Sequence, residues 1–129
     1  MTTISFYRTV IGETGEANRE RVKRATAAVL HALRDRLTPE EAHQLAAQLP
    51  RELKRAWEEG EAPGRKPIKI HRKEFYARVK SEAELASLRE ARWITVAVFT
   101  ALKEQLSPGE AEDVLAQLPK DLKEVWSEA

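Results

Sequence analysis

The sequence has no cysteine. That absence excludes disulfide frameworks, thiolate metal sites, iron–sulfur ligation and thiol nucleophiles together. Glycine is scarce, at five residues. No glycine-rich phosphate loop exists, and neither does a Gly-x-Ser-x-Gly nucleophile turn. Long apolar runs are missing as well. The most apolar stretch, Trp93 to Leu102, is broken by Thr95 and Thr100 and falls short of the roughly 18 residues a membrane span needs. The start, Met1-Thr2-Thr3-Ile4-Ser5-Phe6-Tyr7-Arg8, lacks a basic segment followed by an apolar one. The expectation is a cytoplasmic protein that does not enter a membrane.

An excess of charge of one sign is also lacking. The 129 residues carry 22 Lys and Arg against 21 Asp and Glu, for a net charge of +1. A general polyanion binder is disfavoured, although a local patch can still exist. Asn and Met occur once each, while charged residues reach 33%. Thermophile proteins show this scarcity beside many charges; a GC-rich genome accounts for it equally.

Reactive constellations are few. His31, His43 and His71 form no HxxxH or HExxH pair, so no metal site is expected. Ser5, Ser81, Ser87, Ser107 and Ser127 fall at expected caps, loops or termini. No catalytic residue and no cofactor is assigned.

What the sequence does contain is itself, twice. Leu49-Pro50 returns as Leu118-Pro119, 69 positions later. The same offset pairs Phe6, Tyr7 and Val10 with Phe75, Tyr76 and Val79. It pairs Ala28-Val29 with Ala97-Val98, Ala47-Gln48 with Ala116-Gln117, and Trp57 with Trp126. Unit one therefore spans 1–58 and unit two 73–129. Between them, 59–72 is a connector punctuated by Gly60, Pro63, Gly64 and Pro67.

Each unit reads as four helices. In unit one these cover about 4–11, 17–36, 39–49 and 50–58. Gly12 and Gly15 are expected to break the first. Val22, Thr26, Val29, Leu33 and Leu37 make one stripe of the second at helical period. Thr38-Pro39-Glu40-Glu41 opens the third as a capping box, in which the Glu41 carboxylate would reach back to the Thr38 amide. Ser107-Pro108-Gly109-Glu110 repeats the device. Pro50 and Pro119 stop the third helix of each unit and would be the first residue of the fourth. The expected fold is all-α, with about eight helices in two tandem pseudo-symmetric four-helix units packed as one globular bundle. Trp57 and Trp126 are its repeated core anchors.

The repeat resembles the bacterial family known as domain of unknown function 2267. The resemblance rests on Phe6 to Val10, Ala28-Val29-Leu30, Leu37-Thr38-Pro39-Glu40-Glu41-Ala42 and Ala47 to Leu53. Unit two departs from the pattern at Phe99 and Gly109. The resemblance implies a duplicated all-α domain and carries no activity or site residues.

Departures between the units hold the functional information. Trp93, Ile94, Val96 and Phe99 replace Arg24, Ala25, Ala27 and Leu30. The second helix of unit two is thus apolar nearly all round. Burial by both units accounts for it, or part of it is exposed and pairs with a second copy. The leading expectation is a non-enzymatic protein-interaction module, with Trp93, Val96 and Phe99 as the candidate protein contact and a homodimer as one form. The alternatives are nucleic-acid binding and small-ligand binding between the two units. Phosphate contacts would come from Arg65, Lys66, Lys69, Arg72 and Lys73. The basic run Arg19, Arg21, Lys23 and Arg24 instead reads as a helix face salt-bridged to Glu16 and Glu20. The repeated Gln48 and Gln117 would either satisfy the carbonyl left unpaired before each proline or form a paired contact surface.

Overall fold

Local capping chemistry sets where each helix begins. The computed structural model describes residues 2–129 and contains eight α-helices and no strand among them. They are α1 (Thr3–Thr14), α2 (Arg19–Arg36), α3 (Pro39–Ala46), α4 (Arg51–Glu58), α5 (Arg72–Ala83), α6 (Leu88–Gln105), α7 (Pro108–Ala116) and α8 (Lys120–Glu128). Side-chain oxygens of Thr2, Asn18, Thr38, Ser87 and Ser107 accept an amide of the first turn of α1, α2, α3, α6 and α7. Each satisfies a donor that the helix itself leaves unpaired.

Three boundaries differ from the sequence reading. Gly12 does not break α1, which runs on to Gly15 at φ 72°. The left-handed cap needs a residue without a Cβ penalty, and Gly15 supplies it while Gly12 fits the helix. The equivalent position 69 residues on is Glu84, which takes φ 55° to cap α5. Pro50 and Pro119 are the N-caps of α4 and α8 rather than their first helical residues, with extended ψ of 153° and 162°.

Packing crosses between the sequence units. α1 lies along α6, and α5 lies along α2, while α2 and α6 also touch each other. The first helix of each unit therefore covers the long helix of the other. α6 sits among α1, α2, α5 and α8. It buries Ala91, Ile94, Thr95, Ala97, Val98, Phe99, Ala101 and Leu102. An all-round apolar helix is covered on several sides, as its composition requires. Phe99 stacks edge-on with Phe75 at 5.9 Å and tilts against Trp126 at 5.0 Å. These aromatic pairs lock α5 and α8 onto α6.

Trp57 and Trp126 are both buried, at 1% and 3% exposure. The Trp57 indole N–H donates to the Ala42 carbonyl at 3.1 Å, joining α4 to α3. A cation closes the far end of each short helix. Arg34 donates to the carbonyls of Trp57 and Glu59 at 2.9 and 2.6 Å. Lys103, 69 residues on, donates to those of Trp126 and Ala129 at 2.9 and 2.8 Å. Both meet carbonyls that a helix end leaves orphaned. Replacing either Trp by Ala should cost roughly 3–5 kcal/mol. Trp57→Ala should cost more, because it also removes the indole hydrogen bond that joins α4 to α3. Urea denaturation followed by circular dichroism measures both; a loss below about 1 kcal/mol for either contradicts its role as an anchor.

Candidate functional site

The apolar departures on α6 divide into two groups. Phe99 is fully buried and so is corrected from the candidate contact surface. Its ring is occupied by Phe75 and Trp126, and a side chain holding three helices together cannot meet a partner. Trp93 is 56% exposed. Val96, one turn further, is half-buried. The guanidinium of Arg89 lies over the Trp93 ring, 5.1 Å from its centroid. This cation–π contact fixes the ring without hiding it.

Two clefts flank Trp93. The larger, about 550 Å³, opens between the end of α1 and α6, with Glu13 and Thr14 facing Arg92 and Val96. The smaller, about 160 Å³, lies against α2, with Glu16 and Arg21 facing Glu90 and Ile94. Both signs of charge therefore rim one exposed indole.

The connector is arranged differently from its expected role. Arg65 is not free to hold a phosphate. Its guanidinium donates to the carbonyls of Leu37 and Arg34 at 2.7 and 2.9 Å and to the Glu61 carboxylate at 2.8 Å. It caps the C-terminus of α2, where a cation is favoured by the helix dipole. Lys66, Lys69, Arg72 and Lys73 are exposed. The Ile68 amide donates to the Asp35 carbonyl at 2.8 Å, which pins the connector to α2.

In the second basic run Arg21 lies 3.9 Å from Glu16, one of the two expected acids, while Lys23 and Arg24 meet acids on other elements. Lys23 lies 3.7 Å from Glu52 of α4, and Arg24 lies 3.0 Å from Glu84 beyond α5. His31 bridges the Glu82 carboxylate at 2.6 Å and the Ala56 carbonyl at 2.7 Å. Its two nitrogens are thereby used to tie α2 to α5 and α4. Asp35 joins Arg34 and Arg78 at 2.9 and 2.8 Å. Burial raises its carboxyl, but hydrogen bonds and charge from the two arginines outweigh this and hold it below the ordinary carboxylate value.

The seam between α3 and α7 holds what sequence reasoning missed. Glu41 does not reach back to Thr38. The Thr38 amide instead donates to Gln117 Oε1 at 2.9 Å, and the Ser107 amide donates to Gln48 Oε1 at 2.8 Å. Each capping box is closed by a glutamine from the other unit. The glutamines therefore do not serve the carbonyl before each proline; they form an internal paired contact.

That exchange frees the two cap glutamates to meet. Glu41 and Glu110 are 8% and 7% exposed, and one oxygen of each, Oε2, has no hydrogen-bond donor. With the exposed Asp113, they bring three carboxylate oxygens within 4.8 Å of one another. Two like charges so placed cannot both ionise cheaply. Burial, a hydrogen bond with Glu41 and the charges of Glu41 and Asp113 push the Glu110 carboxyl up to about 8. At neutral pH Glu110 keeps its proton. The only sequence signal was the identical register of Glu41 and Glu110 in the repeat.

The sign of the pH effect follows from proton linkage. The folded chain holds the Glu110 proton more tightly than the unfolded chain, whose carboxyl titrates near 4.5. This component of stability is present below pH 4.5, falls as pH rises and is gone above about 8. Glu110→Gln should flatten the difference in unfolding free energy between pH 5 and pH 9 by on the order of 3 kcal/mol. Denaturant titrations of both proteins at the two pH values provide the check.

Comparison with known proteins adds a classification. The family profile described as "Uncharacterized conserved protein (DUF2267)" matches residues 4–125. No curated protein matches the chain.

Proposed function

The chain belongs to the DUF2267 family, and from that premise we propose that it is a non-enzymatic interaction module whose contact surface is the Trp93 face of α6. The observation that carries this reading is the exposure of Trp93 at a position where the other unit has Arg24. The fold accepts a charged side chain at this register, so packing does not demand an indole. An exposed tryptophan beside shallow clefts is the side chain most often found at the energetic centre of a protein interface.

The partner is a second copy of the chain. Arg21, Arg89 and Arg92 share the patch with Glu13, Glu16, Glu90 and Glu128. A two-fold interface places one patch against itself, and a patch of mixed sign can be complementary to itself. The buried Phe99 takes no part in the contact. The nucleic-acid reading retains Lys66, Lys69, Arg72 and Lys73 but loses Arg65 to α2.

Light scattering coupled to gel filtration tests self-association. The native chain should run as a dimer at high concentration. Trp93→Arg installs the residue of the other unit, so it should fold normally by circular dichroism and run as a monomer. A native chain that stays monomeric at millimolar concentration, or a Trp93→Arg dimer as tight as the native one, removes this reading.

A further inference from the structure

A cleft of about 300 Å³ lies between α1, the start of α2 and α4. Ile4, Tyr7, Ile11 and Val22 form its apolar wall. Arg8, Arg19 and Lys23 stand around it with Glu52 as the single acid. Ile4 is 71% exposed, the most exposed of the large apolar side chains.

The repeat provides an internal control for this wall. The positions equivalent to Ile4 and Ile11 are Lys73 and Lys80, and that equivalent to Arg19 is Leu88. The fold thus accepts lysine at both isoleucine positions. Ile11 is half-buried against the core, whereas Ile4 is left in water. Water exposure of Ile4 costs free energy that lysine at the same register avoids. A further contact accounts for Ile4.

The acid of the cleft is also placed differently in the two units. Asp121, equivalent to Glu52, accepts the Arg72 amide at 3.0 Å and lies 3.5 Å from the His71 ring. It is thereby fastened to the start of α5. In unit one, Thr2 and Ser5 cap α1 themselves. Glu52 is turned to Lys23 at 3.7 Å instead. Among the described residues no equivalent hydrogen bond ties the start of α1 to Glu52.

We propose that this cleft binds a small amphipathic anion, with its hydrocarbon part on Ile4, Ile11 and Val22 and its carboxylate held by Arg8 and Arg19. The volume lies at the small end of ligand sites, and an apolar wall with a few placed polar groups is their usual form. Three cations against one acid select an anionic head. Tyr7 adds a neutral donor: burial and the nearby Glu52 charge push its hydroxyl up to about 12. Neither Trp93 nor Val96 lines the site; Val22 alone borders both it and the smaller cleft beside Trp93.

Calorimetric titration of the full chain with decanoate tests the site, with decyltrimethylammonium as the cationic control. Decanoate should bind saturably at one site per chain, and more weakly as salt is raised. Ile4→Lys and Ile11→Lys carry the residues of the other unit and should keep the native circular dichroism spectrum. Each should weaken binding about tenfold or more, the equivalent of about 1.4 kcal/mol. Arg19→Leu should weaken it and reduce its salt dependence. Trp93→Arg should leave it unchanged, so failure of the dimer reading and failure of this one are separable. Absence of saturable decanoate binding at low-millimolar concentration overturns the proposal. So does unchanged binding in the two lysine variants, or equal binding of decyltrimethylammonium.

Discussion

A helix that is apolar on nearly every side must be covered on nearly every side, and α6 imposes this on the whole molecule. Its eighteen residues present Ala97 and Ala101 beside Val98, Phe99 and Leu102, all buried. Small and large side chains alternate around its circumference, so neighbours can approach closely at some faces and interdigitate at others. α1, α2, α5 and α8 take those faces. The crossing of first helices between units follows: α1 finds its apolar surface on α6, and α5 finds its own on α2. Neither twelve-residue helix would be stable alone in water.

The polar groups obey the same geometry. Short helices leave many backbone groups unpaired relative to their length. Here those groups are met by side chains from elsewhere. Arg34 and Lys103 close α4 and α8. Arg65 closes α2. Gln48 and Gln117 take the cap amides of α7 and α3. The cost appears at one place, where the buried Glu110 faces Glu41 and its carboxyl is pushed up to about 8. Cap chemistry brought both acids to the first turns; the glutamine exchange left them facing each other.

Comparing positions 69 residues apart separates what the fold needs from what it merely allows. The large apolar residues shared across that offset, Phe6 and Phe75 or Trp57 and Trp126, are buried. Those that differ and face water, Trp93 against Arg24 and Ile4 against Lys73, cannot be explained by packing, because the other unit packs without them. This comparison needs no second protein. It also explains why the even charge balance said little about function: the informative residues are a few local substitutions, invisible in a total.

Helix number, helix order and the N-caps Thr38 and Ser107 were readable from the sequence because they depend on interactions within a few positions: the four-residue hydrogen bond, the 3.6-residue stripe and the side chain at the N-cap. The burial of Trp57 and Trp126 was readable for the same reason, as both continue a local stripe. Partner choice was not. The commitment of Arg65 to α2, the removal of Phe99 into the core, the trans caps of Gln48 and Gln117, and the meeting of Glu41 with Glu110 join residues 24 to 79 positions apart. Such pairings are decided by where whole helices come to lie, and that depends on the summed burial of many side chains rather than on any motif. Local hydrogen bonding determined the pieces; apolar coverage of α6 determined which pieces touch.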